Sequence, residues 1–189
     1  MYIMLPAADA SAAPLPLDRE PAAPSAAILA AANLLLPHLE RGQPVDTGML
    51  RVAMETTFGA SDASGVWDWK EAYEAGEIAT VLFLRKYGKP LFRKAASPAS
   101  RLTALTKIIG LLPTHTRRSE ETQAFQQFST PVPLGLAALT AATLTPTDRV
   151  LEPSAGTGLL GVLAETAGAS LILNELADTR ARSEEHTSE

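Results

Sequence analysis

The residue types best suited to chemistry fall in one short run, Val150-Leu151-Glu152-Pro153-Ser154-Ala155-Gly156-Thr157-Gly158, where an apolar β-type stretch gives way to glycines and then to a helical pattern. Glycines at a strand-to-helix turn have no Cβ to block a ligand and accept the positive φ that such turns need, so the run predicts a small-molecule cradle. Gly156-x-Gly158-x-x-Gly161 also fits the dinucleotide fingerprint, which alone does not specify the nucleotide. Glu152 separates the two ligand classes. A carboxylate at the first position of the turn faces like charge in a pyrophosphate, whereas it attracts a ligand carrying an ammonium and a sulfonium. At the end of the next β-type stretch stands Glu175, whose carboxylate can accept from both hydroxyls of a ribose. An isolated glutamate after a strand is usually a solvated acid; its place in a β-α-β unit makes Glu175 the ribose ligand.

These residues need elements to hold them. The pattern predicts a strand over 149–152, a helix over 159–166 and a second strand over 169–174, which together start a parallel sheet. Upstream lie a short polar helix over 119–126, the segment Phe128-Ser129-Thr130-Pro131, an Ala/Leu-rich helix over 132–144 and a turn at Thr145-Pro146-Thr147-Asp148. Before residue 119 no strand alternation occurs. Helices are expected over 26–41, capped by Ser25 and kinked near its end by Pro37, and over 47–58, capped by Asp46 or Thr47. A helical pattern from Trp67 runs through Leu84 until Gly88 and Pro90 break it, and another helix spans 99–112. The expected layout is an Ala/Pro-rich disordered leader over 1–25, a helical domain over 26–118, and over 119–181 the start of an α/β domain.

The run 150–158 resembles the first motif of class I adenine-N6 DNA methyltransferases, and Gln127-Phe128-Ser129-Thr130-Pro131 resembles the segment that precedes their first strand and closes over the cofactor. The resemblance implies a Rossmann-like α/β fold and S-adenosyl-L-methionine as cofactor. It implies that Phe128 lies against the cofactor and that the turn at Thr130 and Pro131 receives its methionine carboxylate. Glu152, Pro153, Ser154, Ala155, Gly156 and Gly158 then line the cofactor and Glu175 binds its ribose. The helical front followed by this start also resembles large bacterial or phage proteins that join a methylase to a strawberry-notch-like helicase, which implies DNA and a C-terminal helicase domain as partners.

Adenine-N6 methyltransferases hold the flipped base with an Asp/Asn-Pro-Pro-Tyr/Phe tetrapeptide, and this sequence contains none. The last eight residues, Arg182 to Glu189, read as the translation of a common short-read sequencing adapter. The chain is therefore expected to be an N-terminal fragment, catalytically silent, with two strands where the class I fold has seven and with Leu171, Ile172 and Leu173 short of cover. Two other readings stay open: a class I methyltransferase acting on RNA, protein or a small molecule, and a helical interaction module without catalysis.

Composition sets outer bounds. A net charge of −5 gives no global attraction for phosphate backbones, although Lys86, Lys89, Arg93, Lys94, Arg101, Lys107, Arg117 and Arg118 make the middle of the chain locally basic, either to track phosphates or as a solvated helix face. The chain has no cysteine, so neither a disulfide framework nor a thiolate zinc site can form, and a cytoplasmic location is expected. His38 and His115 lack nearby ligand partners in the sequence, and no apolar run reaches the length of a membrane span. Trp67 and Trp69, at helical spacing in an apolar context, are expected in the core.

Overall fold

Three helices of the front, those starting at Thr47, Trp69 and Pro98, begin at a side-chain cap, whereas Ser25, expected to cap the first helix, lies inside it. In the computed structural model, which describes residues 24–113 and 129–175, α1 spans Pro24–Glu40 and α2 spans Thr47–Phe58. The Asp46 side chain accepts the Met49 N–H at 2.8 Å to start α2, and Gly59 ends it at φ 68°. After a 3-10 turn at Asp62–Ser64, α3 runs from Trp69 to Lys94. Asp68 and Glu71 close a reciprocal capping box at its start. Helix α4 spans Pro98–Ile109, with Ser97 as its cap and Pro98 in the first turn, where a missing N–H is harmless. Next come α5 (Val132–Ala142), β1 (Arg149–Glu152), α6 (Leu159–Ala167) and β2 (Ser170–Leu173). The described residues are thus mostly helical, with one parallel pair of strands. The helix expected over 119–126 lies outside them, as do residues 1–23 and 176–189.

One expectation about proline fails. Helix α1 continues past Pro37 to Glu40 as expected, but α3 also continues through Gly88 and Pro90 to Lys94. An interior proline costs about 3 kcal/mol, but Val81, Leu84 and Phe92 on either side of the break are buried. Each such side chain contributes about 1.5–3 kcal/mol on burial, enough to keep the helix continuous. Gly88 has a positive role, since a Cβ there would stand 2.6 Å from Thr166 Oγ1 of α6. Its absence lets the two helices meet.

Helix α3 carries two apolar clusters. Its first half packs with α1 and α2 around Ile28, Leu35, Leu50, Met54 and Ile78. Trp67 is buried there as expected and donates its indole N–H to Ala60 O at 2.8 Å, while Trp69 is half-buried under the Arg51 guanidinium. The second half, with Val81, Leu84 and Phe92, packs with Leu105 and Ile108 of α4, Val132 and Leu136 of α5, and Leu159, Val162 and Leu163 of α6. Residues on both sides of position 118 therefore share one cluster. Polar bonds reinforce it: Arg85 on α3 pairs with Glu165 on α6 at 3.0 Å, and Lys86 and Tyr87 reach Glu40 on α1.

The strands pair Arg149 with Ser170 and Leu151 with Ile172. Helix α6 covers one face, where Gly161 admits the Leu171 and Leu173 side chains. Cover is thus lost only on the opposite face, where Leu151 is 64% and Ile172 46% exposed. Of the three residues expected to lack full cover, Ile172 is exposed while Leu171 and Leu173 are half-buried, because successive strand residues alternate faces. No described helix is long and apolar enough to cross a membrane.

This packing makes Leu163 and Ile172 a matched test. Leu163→Ala should lower stability by about 2–5 kcal/mol in urea unfolding, and Ile172→Ala by less than about 1 kcal/mol. Equal losses would contradict the described burial.

Candidate functional site

The turn after β1 is sewn to the end of β2. Asn174 N donates to Glu152 O and Ala155 N to Asn174 O, each at 2.9 Å, while the Asn174 amide donates to Pro153 O at 3.0 Å. Gly156 and Gly158 take φ values of 61° and 83°, which side chains with a Cβ rarely adopt. Gly158 caps α6, and its N–H closes the turn onto Ala155 O at 2.9 Å. Ala155, Thr157 and Gly158 are buried, whereas Pro153 and Ser154 are exposed. The preceding turn is fixed by Asp148, which accepts from Thr145 N and Thr145 Oγ1; these bonds hold its carboxyl below the usual carboxylate range.

Both glutamates expected from the sequence stand at this turn. Glu152 Oε1 accepts the Ser154 N–H at 3.1 Å, and Glu175 Oε2 accepts the Gly156 N–H at 2.7 Å. Both are half-buried. A third carboxylate arrives from a place the sequence did not indicate. Glu77 Oε2, on α3, accepts from Thr157 Oγ1 at 3.0 Å and from Ser129 Oγ at 2.6 Å. The only sequence signal for Glu77 is an acid set between Gly76 and Ile78 on an otherwise apolar stretch of helix, and no spacing rule connects it to Thr157.

Ser129 brings its neighbours Thr130 and Pro131 to this side of the molecule. Both are exposed, and Pro131 O accepts from Leu134 N and Gly135 N to begin α5. Phe128 lies outside the described residues. The structure thus assembles Glu152, Pro153, Ser154, Ala155, Gly156, Gly158 and Glu175 directly, and links the Ser129 segment to them through Glu77.

Charge decides what such a turn can hold. The N-terminus of α6 offers about half a positive charge, but three carboxylates surround the turn. The turn therefore favours a ligand with cationic and hydroxyl groups and disfavours pyrophosphate.

A cleft of about 770 Å³ lies elsewhere, beside Lys89, Arg93, Arg101, Thr143 and Gly168, at the end of the strands opposite the glycine turn. Two of its cations have structural duties. Arg101 covers the Phe92 ring and donates to Ala95 O at 2.9 Å, which closes the end of α3, and Arg93 sits in the last turn of α3, where a cation complements the helix dipole. Of the other basic residues, Lys86 is bonded to Glu40, while Arg117, Arg118 and His115 lie outside the described residues. Among the described residues no group of three His, Cys, Asp or Glu could hold a metal ion.

The turn geometry predicts that Gly158→Ala costs about 1–2 kcal/mol, the price of a left-handed alanine, and that Ser154→Ala changes stability by less than about 0.5 kcal/mol. Guanidinium unfolding would measure both, and an unaffected Gly158→Ala would contradict the left-handed turn. Scanned against protein-family models, curated proteins and solved structures, the chain matches none.

Proposed function

We propose that this chain is the cofactor-binding part of a class I, Rossmann-like methyltransferase that uses S-adenosyl-L-methionine and acts on the N6 amine of adenine in DNA. The observation that carries the cofactor reading is that the Ser154 and Gly156 N–H groups are taken by the carboxylates of Glu152 and Glu175. A pyrophosphate-binding turn directs such N–H groups at the phosphates instead. The donor set fits the cofactor: Glu152 for the ammonium, Glu175 for the ribose hydroxyls, and the glycines for close backbone approach. The resemblance adds Phe128 against the cofactor and Thr130 with Pro131 at its carboxylate.

When bound, the cofactor supplies a methyl group on a sulfonium for transfer to the exocyclic amine. The chain's own contribution is positioning, which removes much of the entropic barrier of a two-reactant step and needs no metal. Adenine must leave the stack to be reached. The base-holding tetrapeptide is absent from this sequence, so we assign the chain cofactor binding without methyl transfer of its own. DNA and a helicase region in a longer protein are the partners this reading implies.

Calorimetry on the 189-residue chain should show S-adenosyl-L-methionine binding that Glu152→Ala weakens by about 1.5–3 kcal/mol, as expected for a charge-assisted hydrogen bond. Unchanged affinity in that variant removes Glu152 from the site. Binding of NAD without binding of S-adenosyl-L-methionine overturns the assignment. The acceptor is tested on a longer protein that carries this chain together with the tetrapeptide: nucleoside mass spectrometry should detect N6-methyladenine in duplex DNA, and label confined to RNA or protein would favour another class I substrate.

A further inference from the structure

The Glu77 carboxylate meets two segments that lie 52 and 80 residues further along the chain. One is the Ser129-Thr130-Pro131 segment and the other is the glycine turn, through Thr157 between Gly156 and Gly158. We propose that Glu77 is a positioning residue of the cofactor site, so that α3 forms its third side and the helical front belongs to the site; the inference rests on the cofactor reading above.

Three observations support this role. Thr157 is only 5% exposed, and a buried hydroxyl needs a partner; Glu77 provides it. Both hydroxyls bond to the same oxygen, Oε2, Ser129 at 2.6 Å and Thr157 at 3.0 Å, which ties the two segments together. Finally, Glu77 stands on a rigid post, because Ala75, Gly76, Ile78 and Ala79 on either side of it are buried against α1, α2 and their neighbours.

Glu77 also sets polarity. A hydroxyl has one hydrogen and two lone pairs. With its hydrogen committed to Glu77, the half-buried Ser129 offers only lone pairs to anything else nearby. Such a surface accepts from an ammonium or a ribose hydroxyl and repels phosphate oxygens. Glu77 thus acts with Glu152 and Glu175 in selecting the ligand, without touching it.

The test uses the 189-residue chain with Glu77→Ala, Glu77→Gln and, as a control, Arg85→Gln, which breaks another bond between α3 and α6 away from the turn. Two quantities are measured: calorimetric affinity for S-adenosyl-L-methionine, and ligand-free hydrogen exchange of the peptide covering residues 154–159. Glu77→Ala should weaken binding and speed exchange, each by about tenfold, the loss expected for one charge-assisted bond. Glu77→Gln should restore most of both, because its amide oxygen can accept the same hydroxyls. Adding Thr157→Val to Glu77→Ala should cost less than the product of the separate losses, as coupled residues do. Arg85→Gln should lower the melting temperature and leave both quantities unchanged. Wild-type affinity and exchange in Glu77→Ala, or equal losses in Arg85→Gln, overturn the proposal. If the wild-type chain does not bind S-adenosyl-L-methionine, the cofactor reading fails, and the ligand-free exchange alone decides whether Glu77 positions the turn.

Discussion

A helix of 26 residues is about 39 Å long, too long for one small apolar cluster to bury. Helix α3 meets this constraint by serving two. Its first half is closed off by α1 and α2, and its second by α4, α5 and α6. Because the helix is rigid over its length, these two clusters cannot move independently without unpacking one side of it. The glycine turn inherits its position from this arrangement, since α6 is held against α3 by the packing of Val162 and Leu163.

The close approach of helices depends on missing side chains as much as on those present. Gly88 lets α3 meet Thr166, Gly135 lets α5 meet Leu163, and Gly161 lets α6 rest on Leu171 and Leu173. Larger residues would push α6 outward and carry the turn at its N-terminus away from Glu77. Packing and site geometry are therefore one problem here, solved by small residues at three contacts.

The turn itself combines opposite demands. Its backbone takes positive φ at Gly156 and Gly158, where the lack of a Cβ permits it, and its N–H groups need acceptors. Glu152 and Glu175 supply those acceptors and, in doing so, surround the turn with negative charge. The sheet beside it is covered on one face only. Leu151 and Ile172 stand in register on the other.

Much of the local structure was legible in the sequence, because caps, glycines and strand alternation act over a few residues. Asp46 caps α2 as expected, the strands fall within a residue or so of their expected limits, and Glu152 and Glu175 stand at the strand ends where the β-α-β pattern put them. The continuity of α3 through Pro90 could not be read this way. Local propensity argued for a break, and only the burial of Leu84 and Phe92 by distant elements overrides it. The sharing of one cluster across position 118 was hidden for the same reason, as was the meeting of Glu77 with Ser129 and Thr157. Sequence by itself determined which residues could cap, turn and bind; tertiary structure decided which of them meet, because contacts over 52 and 80 residues are set by how whole helices pack rather than by any pattern along the chain.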